Sequence, residues 1–237
     1  MSETARVWVE ILFNISYLVV IWSMVILMTR RMDTVSLRNR PVANRVRWAF
    51  FLLALGDTGH VGFRVIAYAL GGLEAQPILV GLGALATAIT VTFFYVLMLD
   101  IWRLRFKKKF DWFAYLLLAA AAVRLVIMAL PGNDWGSVVP PQPMGLYRNL
   151  GLMVQGLGVM ALIFRDSART NDKIFRNIAW MIAMSYTFYT PVILFVNTYP
   201  MLGMLMIPKT LAYIGVAFIA YRGLYPQGKT VSVPAKS

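Results

Sequence analysis

Cysteine is absent from this 237-residue chain, and histidine occurs once, as His60. The first absence excludes disulfides, thiolate catalysis and Cys-based metal centres. The second leaves too few ligands for zinc, which normally takes several His or Cys side chains. No metal or other cofactor is therefore expected. Charge is also scarce, at 14% of residues against about 25% in a soluble domain. Acidic residues are the rarest of all, 10 against 23 Lys and Arg. Hydrophobic residues reach 59% and mean hydropathy is +0.67. The composition is that of an integral membrane protein, and no polar segment is long enough to fold as a second domain.

Apolar runs of about 20 residues mark membrane-crossing helices. They predict seven spans near 8–29, 47–70, 78–102, 112–131, 146–165, 176–197 and 200–222. The fold class is thus all-α, a polytopic seven-helix bundle over residues 1–225 followed by a disordered cytoplasmic tail over 226–237. The net charge of +13 would suggest nucleic acid in a soluble protein. Here the charge is sorted by loop, so it reports topology and argues against a nucleic-acid partner. The first, third and fifth connections and the tail hold 18 of the 23 basic residues. The positive-inside rule then predicts the N-terminus outside and the C-terminus inside, in a bacterial plasma membrane. The first span lacks a basic leading flank and ends in Arg30-Arg31, so it reads as a retained helix rather than a cleavable signal. The proline-bearing outer loop from Pro131 to Gly145 reads either as a lid over the outer mouth or as a stiff linker.

Three spans carry a strong cation: Arg64, Arg124 and Lys209. Each costs roughly 2.5–3.5 kcal/mol at a helix centre, so together they cost on the order of 8–10 kcal/mol without compensation. The carboxylates available at depth are Asp57 and, near the rim, Glu10. Residues at i, i+3/i+4 and i+7 share a helix face. That spacing joins Asp57, His60, Arg64 and Tyr68 in the second helix, while Gly56, Gly59 and Gly62 fall off the stripe and suit close packing against a neighbour. Glu10, Asn14 and Tyr17 repeat the pattern in the first helix. Arg148 and Gln155 lie in the fifth, Thr87 and Thr90 in the third, and Tyr186, Tyr189, Thr190 and Asn197 in the sixth. The seventh contributes Lys209 and Tyr213. Nearly all of these lie in the middle or outer half. Asp100, beside Arg103 at the inner end, reads as an interfacial pair with no part in a site.

Converging stripes predict an outward-open cationic cavity, because polar groups in a membrane face the bundle or water rather than lipid. Its preferred occupant is a small anionic or amphiphilic ligand in a sensor or receptor. Arg64, Arg124 and Lys209 would hold the charge, and Glu10, Asn14, Gln155, Tyr186, Tyr189, Thr190 and Tyr213 would line the rest. No signalling domain accompanies these helices in the sequence, so output would require a cytoplasmic protein partner. A second reading is an intramembrane lipid hydrolase or transferase. Asp57 and His60, one turn apart, would hydrogen-bond for acid–base work, with water as nucleophile. Taken singly, Asn14, Thr87, Thr90 and Gln155 also suit interhelical hydrogen bonds, and Asp57 suits a structural ion pair with Arg64 or Arg124.

The stretch Leu55-Gly56-Asp57-Thr58-Gly59-His60-Val61-Gly62-Phe63-Arg64 resembles the Gly-Asp-x-x-His-x-x-x-Arg segment of a group of bacterial seven-helix membrane proteins without an assigned activity. Met206-Ile207-Pro208-Lys209-Thr210 and Tyr147-Arg148-Asn149 fit the same group. The Leu-Gly-Asp piece is also similar to a motif of lysoplasmalogenase-like membrane hydrolases, which implies a lipid substrate. Those enzymes carry a second intramembrane aspartate in a later helix, and no later outer half-helix here supplies one. Microbial rhodopsins share the seven-helix, N-out plan and bind retinal through a lysine of the seventh helix, where Lys209 lies. Their acid in the third helix is replaced here by Thr87 and Thr90, leaving Asp57 as the counterion that resemblance would require.

Overall fold

The computed structural model describes residues 3–225, with side chains from Trp8 onward except Glu10. The described residues form seven α-helices: α1 (Glu3–Arg30), α2 (Arg40–Ala69), α3 (Pro77–Arg105), α4 (Trp112–Ala129), α5 (Met144–Arg169), α6 (Lys173–Phe195) and α7 (Met206–Leu224). Short 3-10 turns lie at Met32–Thr34, Pro131–Asn133 and Pro200–Leu205. All seven helices, the last taken together with its preceding turn, are long and apolar enough to cross a membrane. The expectations for the tail at 226–237 and for the Glu10 side chain lie outside the described residues.

Local chemistry sets the helix ends. Pro41 and Pro77 occupy the first turns of α2 and α3, where a missing N–H costs nothing. Asp111 and Asp172 cap α4 and α6, accepting from Ala114 N at 2.9 Å and Phe175 N at 3.2 Å. The main departures from the hydropathy boundaries are at the arginine-rich end. There α2 starts at Arg40 rather than 47, α3 runs to Arg105, and α5 runs to Arg169. Hydropathy finds only the lipid-crossing part, whereas arginine is a good helix former and prolongs the helix beyond it. At the opposite end, Pro200 and Gly203 lie in a 3-10 turn before α7 begins at Met206. Lys209 therefore lies in the first turn of α7, closer to its start than a helix from residue 200 would place it.

Successive helices pack side by side, and α7 closes onto α1 and α2; α3 also reaches α5. The α2–α3 pair is the tightest. Thr87 Oγ1 donates to the Gly56 carbonyl at 2.9 Å, and a Cβ at Gly56 would fall on the Thr90 hydroxyl. A Cβ at Gly59 would lie 3.1 Å from Ala86 Cβ, whereas Gly62 faces open space, so two of the three off-stripe glycines form the seam. We expect Gly56→Ala to cost about 1–3 kcal/mol by overpacking. Thr90→Ala should recover part of that loss. Unfolding midpoints in detergent check both, and a silent Gly56→Ala would show that the helices can separate freely.

The arginine-rich end is tied by ion pairs. Asp100 binds Arg45 at 2.7 Å and Arg103 at 2.6 Å, which is the end-of-helix pairing its position suggested. Arg105 reaches Asp172 at 2.7 Å. Buried Asp166 accepts from Trp102 Nε1 at 2.9 Å and pairs with Arg165 at 3.0 Å. Tyr225 closes this end by donating to the Ala43 carbonyl at 2.8 Å.

Candidate functional site

Asp57 projects from the middle of α2 toward α1. Tyr17, the buried residue of the α1 stripe, donates its hydroxyl to Asp57 Oδ2 at 2.6 Å. Asp57 forms no ion pair among the described residues, though Lys209 lies near enough for its field to act on the carboxylate. A short, charge-assisted bond from a phenol is a strong anchor in a low-dielectric setting. The Asp57–His60 hydrogen bond is not formed, and His60 Nδ1 is buried without a hydrogen-bond partner. The His60 backbone lies in the α2–α3 seam, where a Cβ at Gly83 would lie 3.1 Å from His60 Cα.

Lys209 lies against an aromatic wall from α6 and α7. Its Nζ stands 4.7 Å from the Tyr189 ring centroid and 5.5 Å from that of Tyr213. Two ring faces can hold an ammonium, an interaction that strengthens when water is excluded. The wall is itself fixed. Tyr213 and Tyr95 share a 2.7 Å hydroxyl–hydroxyl hydrogen bond, Tyr186 donates to the Leu152 carbonyl at 3.0 Å, and Tyr189 donates to Asn149 Oδ1 at 3.2 Å. Thr190 turns back onto its own helix, donating to the Tyr186 carbonyl at 2.8 Å. Gly156 makes room for this wall, since a Cβ there would overlap the Tyr186 phenol.

Arg64 and Asn14 lie together with Tyr68 along a shallow notch between α1 and α2, completed by Ile11, Val61 and Val65. This part of the stripe faces the first helix. The predicted group is thereby distributed: Asn14 and Arg64 line this notch, Asp57 bonds to Tyr17 between the same two helices, and Lys209 sits on the tyrosine wall.

Arg124 does not join Arg64 and Lys209. It is 2% exposed, with Nε donating to the Arg148 carbonyl at 2.7 Å and Nη1 donating to the Ala88 carbonyl at 2.7 Å and to Thr92 Oγ1. Gln155, also buried, donates to the Thr92 carbonyl at 3.1 Å. Both side chains knit α3, α4 and α5 together. The expected convergence of three cations on one cavity is therefore not realised. Backbone carbonyls and a hydroxyl, rather than an anion, solvate Arg124.

Arg148 covers the Trp135 ring at 4.5 Å. The Trp135 indole donates to the Met128 carbonyl at 3.0 Å, and its own carbonyl packs where a Cβ of Gly81 would be. The 131–143 loop is thus seated on α3 and α5 at the end nearest Lys209.

Tyr95 and Thr92 are part of these networks and belong to none of the polar stripes read from sequence; Asn149 entered only through the Tyr147-Arg148-Asn149 segment. Thr87, Val91 and Tyr95 lie four residues apart on one ridge of α3, which is the signal that would have found Tyr95. Among the described residues, no three His, Cys, Asp or Glu side chains cluster as metal ligands. In comparisons with known proteins, no family model, no curated protein and no solved structure matches the chain.

Proposed function

We propose that this multi-pass membrane protein binds a small anionic or amphiphilic ligand beside Lys209, in a sensor or receptor role. One observation carries the reading. The Lys209 ammonium stands between two tyrosine faces and is in no ion pair among the described residues. An anionic head would supply the charge contact that this half-buried ammonium does not find in the described residues. Arg64 and Asn14 would extend the polar surface, and the tyrosine rings would pack on the apolar part of an amphiphile. By the distribution of basic residues, this region opens outward from a bacterial plasma membrane, and a cytoplasmic protein partner would receive the signal at the arginine-rich end.

The test is mass spectrometry of protein purified in mild detergent, native and then denatured. A mass present in the native spectrum and lost on denaturation is the expected result, and would identify the ligand. A mass that survives and maps to Lys209 would favour a second reading, a Schiff base with an aldehyde such as retinal. That reading draws on the same aromatic walls, with Asp57 as counter-charge. Bare protein that also takes up no added laurate would reject ligand binding at this site.

A further inference from the structure

Three helices end in the same hydrogen-bonded turn, and one of them carries an unexpected residue. At the ends of α2, α5 and α3, an N–H two residues beyond the cap reaches back to a helix carbonyl. The bonds are Gly72 N to Ala67 O at 2.9 Å, Asp172 N to Ser167 O at 2.8 Å, and Lys108 N to Arg103 O at 3.0 Å. This turn requires a left-handed residue at its centre, normally glycine and sometimes asparagine. Gly71 (φ +108°) and Asn171 (φ +52°) follow that preference, but α3 places Lys107 there at φ +52°. A left-handed backbone disfavours a long side chain, so fold stability alone gives no reason for this lysine.

The surroundings give one. Lys107 and Lys109 are exposed and are in no ion pair among the described residues. The nearby acids are engaged elsewhere: Asp100 by Arg45 and Arg103, Asp172 by Arg105, and Asp166 by Arg165, with Lys108 at 3.8 Å. Asp111 caps α4. Directly after the lysines come Trp112, 77% exposed, and Tyr115, 61% exposed. They sit at the start of a membrane-length helix, where aromatic residues settle at headgroup level. Two free ammonium groups beside interfacial aromatics match the phosphate and glycerol of a lipid headgroup.

We propose that the α3–α4 corner, through Lys107 and Lys109 with Trp112 and Tyr115, binds the headgroup of an anionic phospholipid in the adjoining leaflet. The inference is independent of the ligand assigned to Lys209. A juxtamembrane basic side chain contributes about 1 kcal/mol toward an anionic surface, roughly fivefold in affinity.

The test is native mass spectrometry of the whole protein in detergent with equimolar phosphatidylglycerol and phosphatidylcholine. Wild type is expected to retain phosphatidylglycerol preferentially. Lys107→Gln with Lys109→Gln should lower that retention by about 25-fold, the two roughly fivefold factors combined. Arg38→Gln with Arg222→Gln removes the same charge from exposed positions at the same end of the bundle and should change retention little. Lys107→Gly separates lipid binding from folding. It should raise the unfolding midpoint, because glycine suits the turn, and still lower retention about fivefold. Absence of a phosphatidylglycerol preference in wild type, or equal losses in the two charge-matched variants, would overturn the proposal. So would a stabilised Lys107→Gly that retains lipid as wild type does.

Discussion

Arg124→Ala is expected to destabilise the bundle by about 3–5 kcal/mol, combining a lost side-chain volume with lost charge-assisted hydrogen bonds. The guanidinium donates to the Arg148 carbonyl, the Ala88 carbonyl and Thr92 Oγ1, and so joins α3, α4 and α5 at one point. Interhelical hydrogen bonds in membrane bundles average only about 0.6 kcal/mol. Three of them account for about 2 kcal/mol, and the cavity left by a fully packed side chain supplies the remainder. Arg124→Met separates the two terms. It refills most of the volume, and the carbonyls of Ala88 and Arg148 belong to helices that supply their own N–H partners. We therefore expect Met to cost less than half as much as Ala. The decisive comparison is with Asp57→Asn. Were the two charges paired, neutralising both would restore stability. Because Asp57 bonds to Tyr17 instead, the double variant should show additive losses to within about 0.5 kcal/mol. Denaturant titrations of the four proteins measure this directly. A double variant more stable than Arg124→Ala would establish a carboxylate–guanidinium contact and redraw the site.

The same residue shows where sequence reading stops. Depth was legible, since Arg124 does lie buried within a membrane-length helix. Its azimuth was not. A stripe of several polar residues fixes which way a helix faces, as Asp57, His60 and Arg64 do for α2. Helix α4 carries Arg124 and almost no other polar side chain, so nothing in its periodicity distinguishes α5 from α2 as the neighbour it addresses. The glycine seam was legible for a complementary reason: Gly56 and Gly59 lie off the polar stripe, and a missing Cβ has meaning only against a neighbouring backbone. Gly62 obeys the same spacing yet meets nothing within 4 Å. Spacing marks a face but not how far along it two helices stay in contact. Tyr17 illustrates an intermediate case. Tyr17 and Asn14 both face α2, but the pairing of Tyr17 with Asp57 depends on the axial register of α1 against α2, which composition does not encode.

Lys209→Met is expected to weaken binding of an anionic amphiphile by roughly 10- to 150-fold while leaving the fold as stable as wild type, or more so. The affinity estimate is that of one charge-assisted hydrogen bond, about 1.5–3 kcal/mol. The stability estimate follows from the site itself. Lys209 is half-buried with its ammonium beside Tyr189 and Tyr213, and cation–π attraction of about 0.5–2 kcal/mol offsets only part of the cost of its partial desolvation. Replacing it with a flexible thioether of similar length removes that cost and preserves contact with both rings. A stabilising substitution that abolishes binding is the signature of a residue retained for function. Titration with laurate under native mass spectrometry, alongside thermal unfolding, reads both quantities. Lys209→Arg refines the argument: it keeps the charge and can still stack on the rings, but its larger planar fork cannot place that charge at the point a compact ammonium occupies. It should thus bind laurate more weakly than wild type and more strongly than Lys209→Met. If Lys209→Met instead unfolds the protein and laurate uptake by Lys209→Arg equals wild type, the ammonium is part of the framework, balancing Asp57 at a distance. If laurate binds all three alike, the anion site lies elsewhere, and the Asn14–Arg64 notch between α1 and α2 becomes the surface to test.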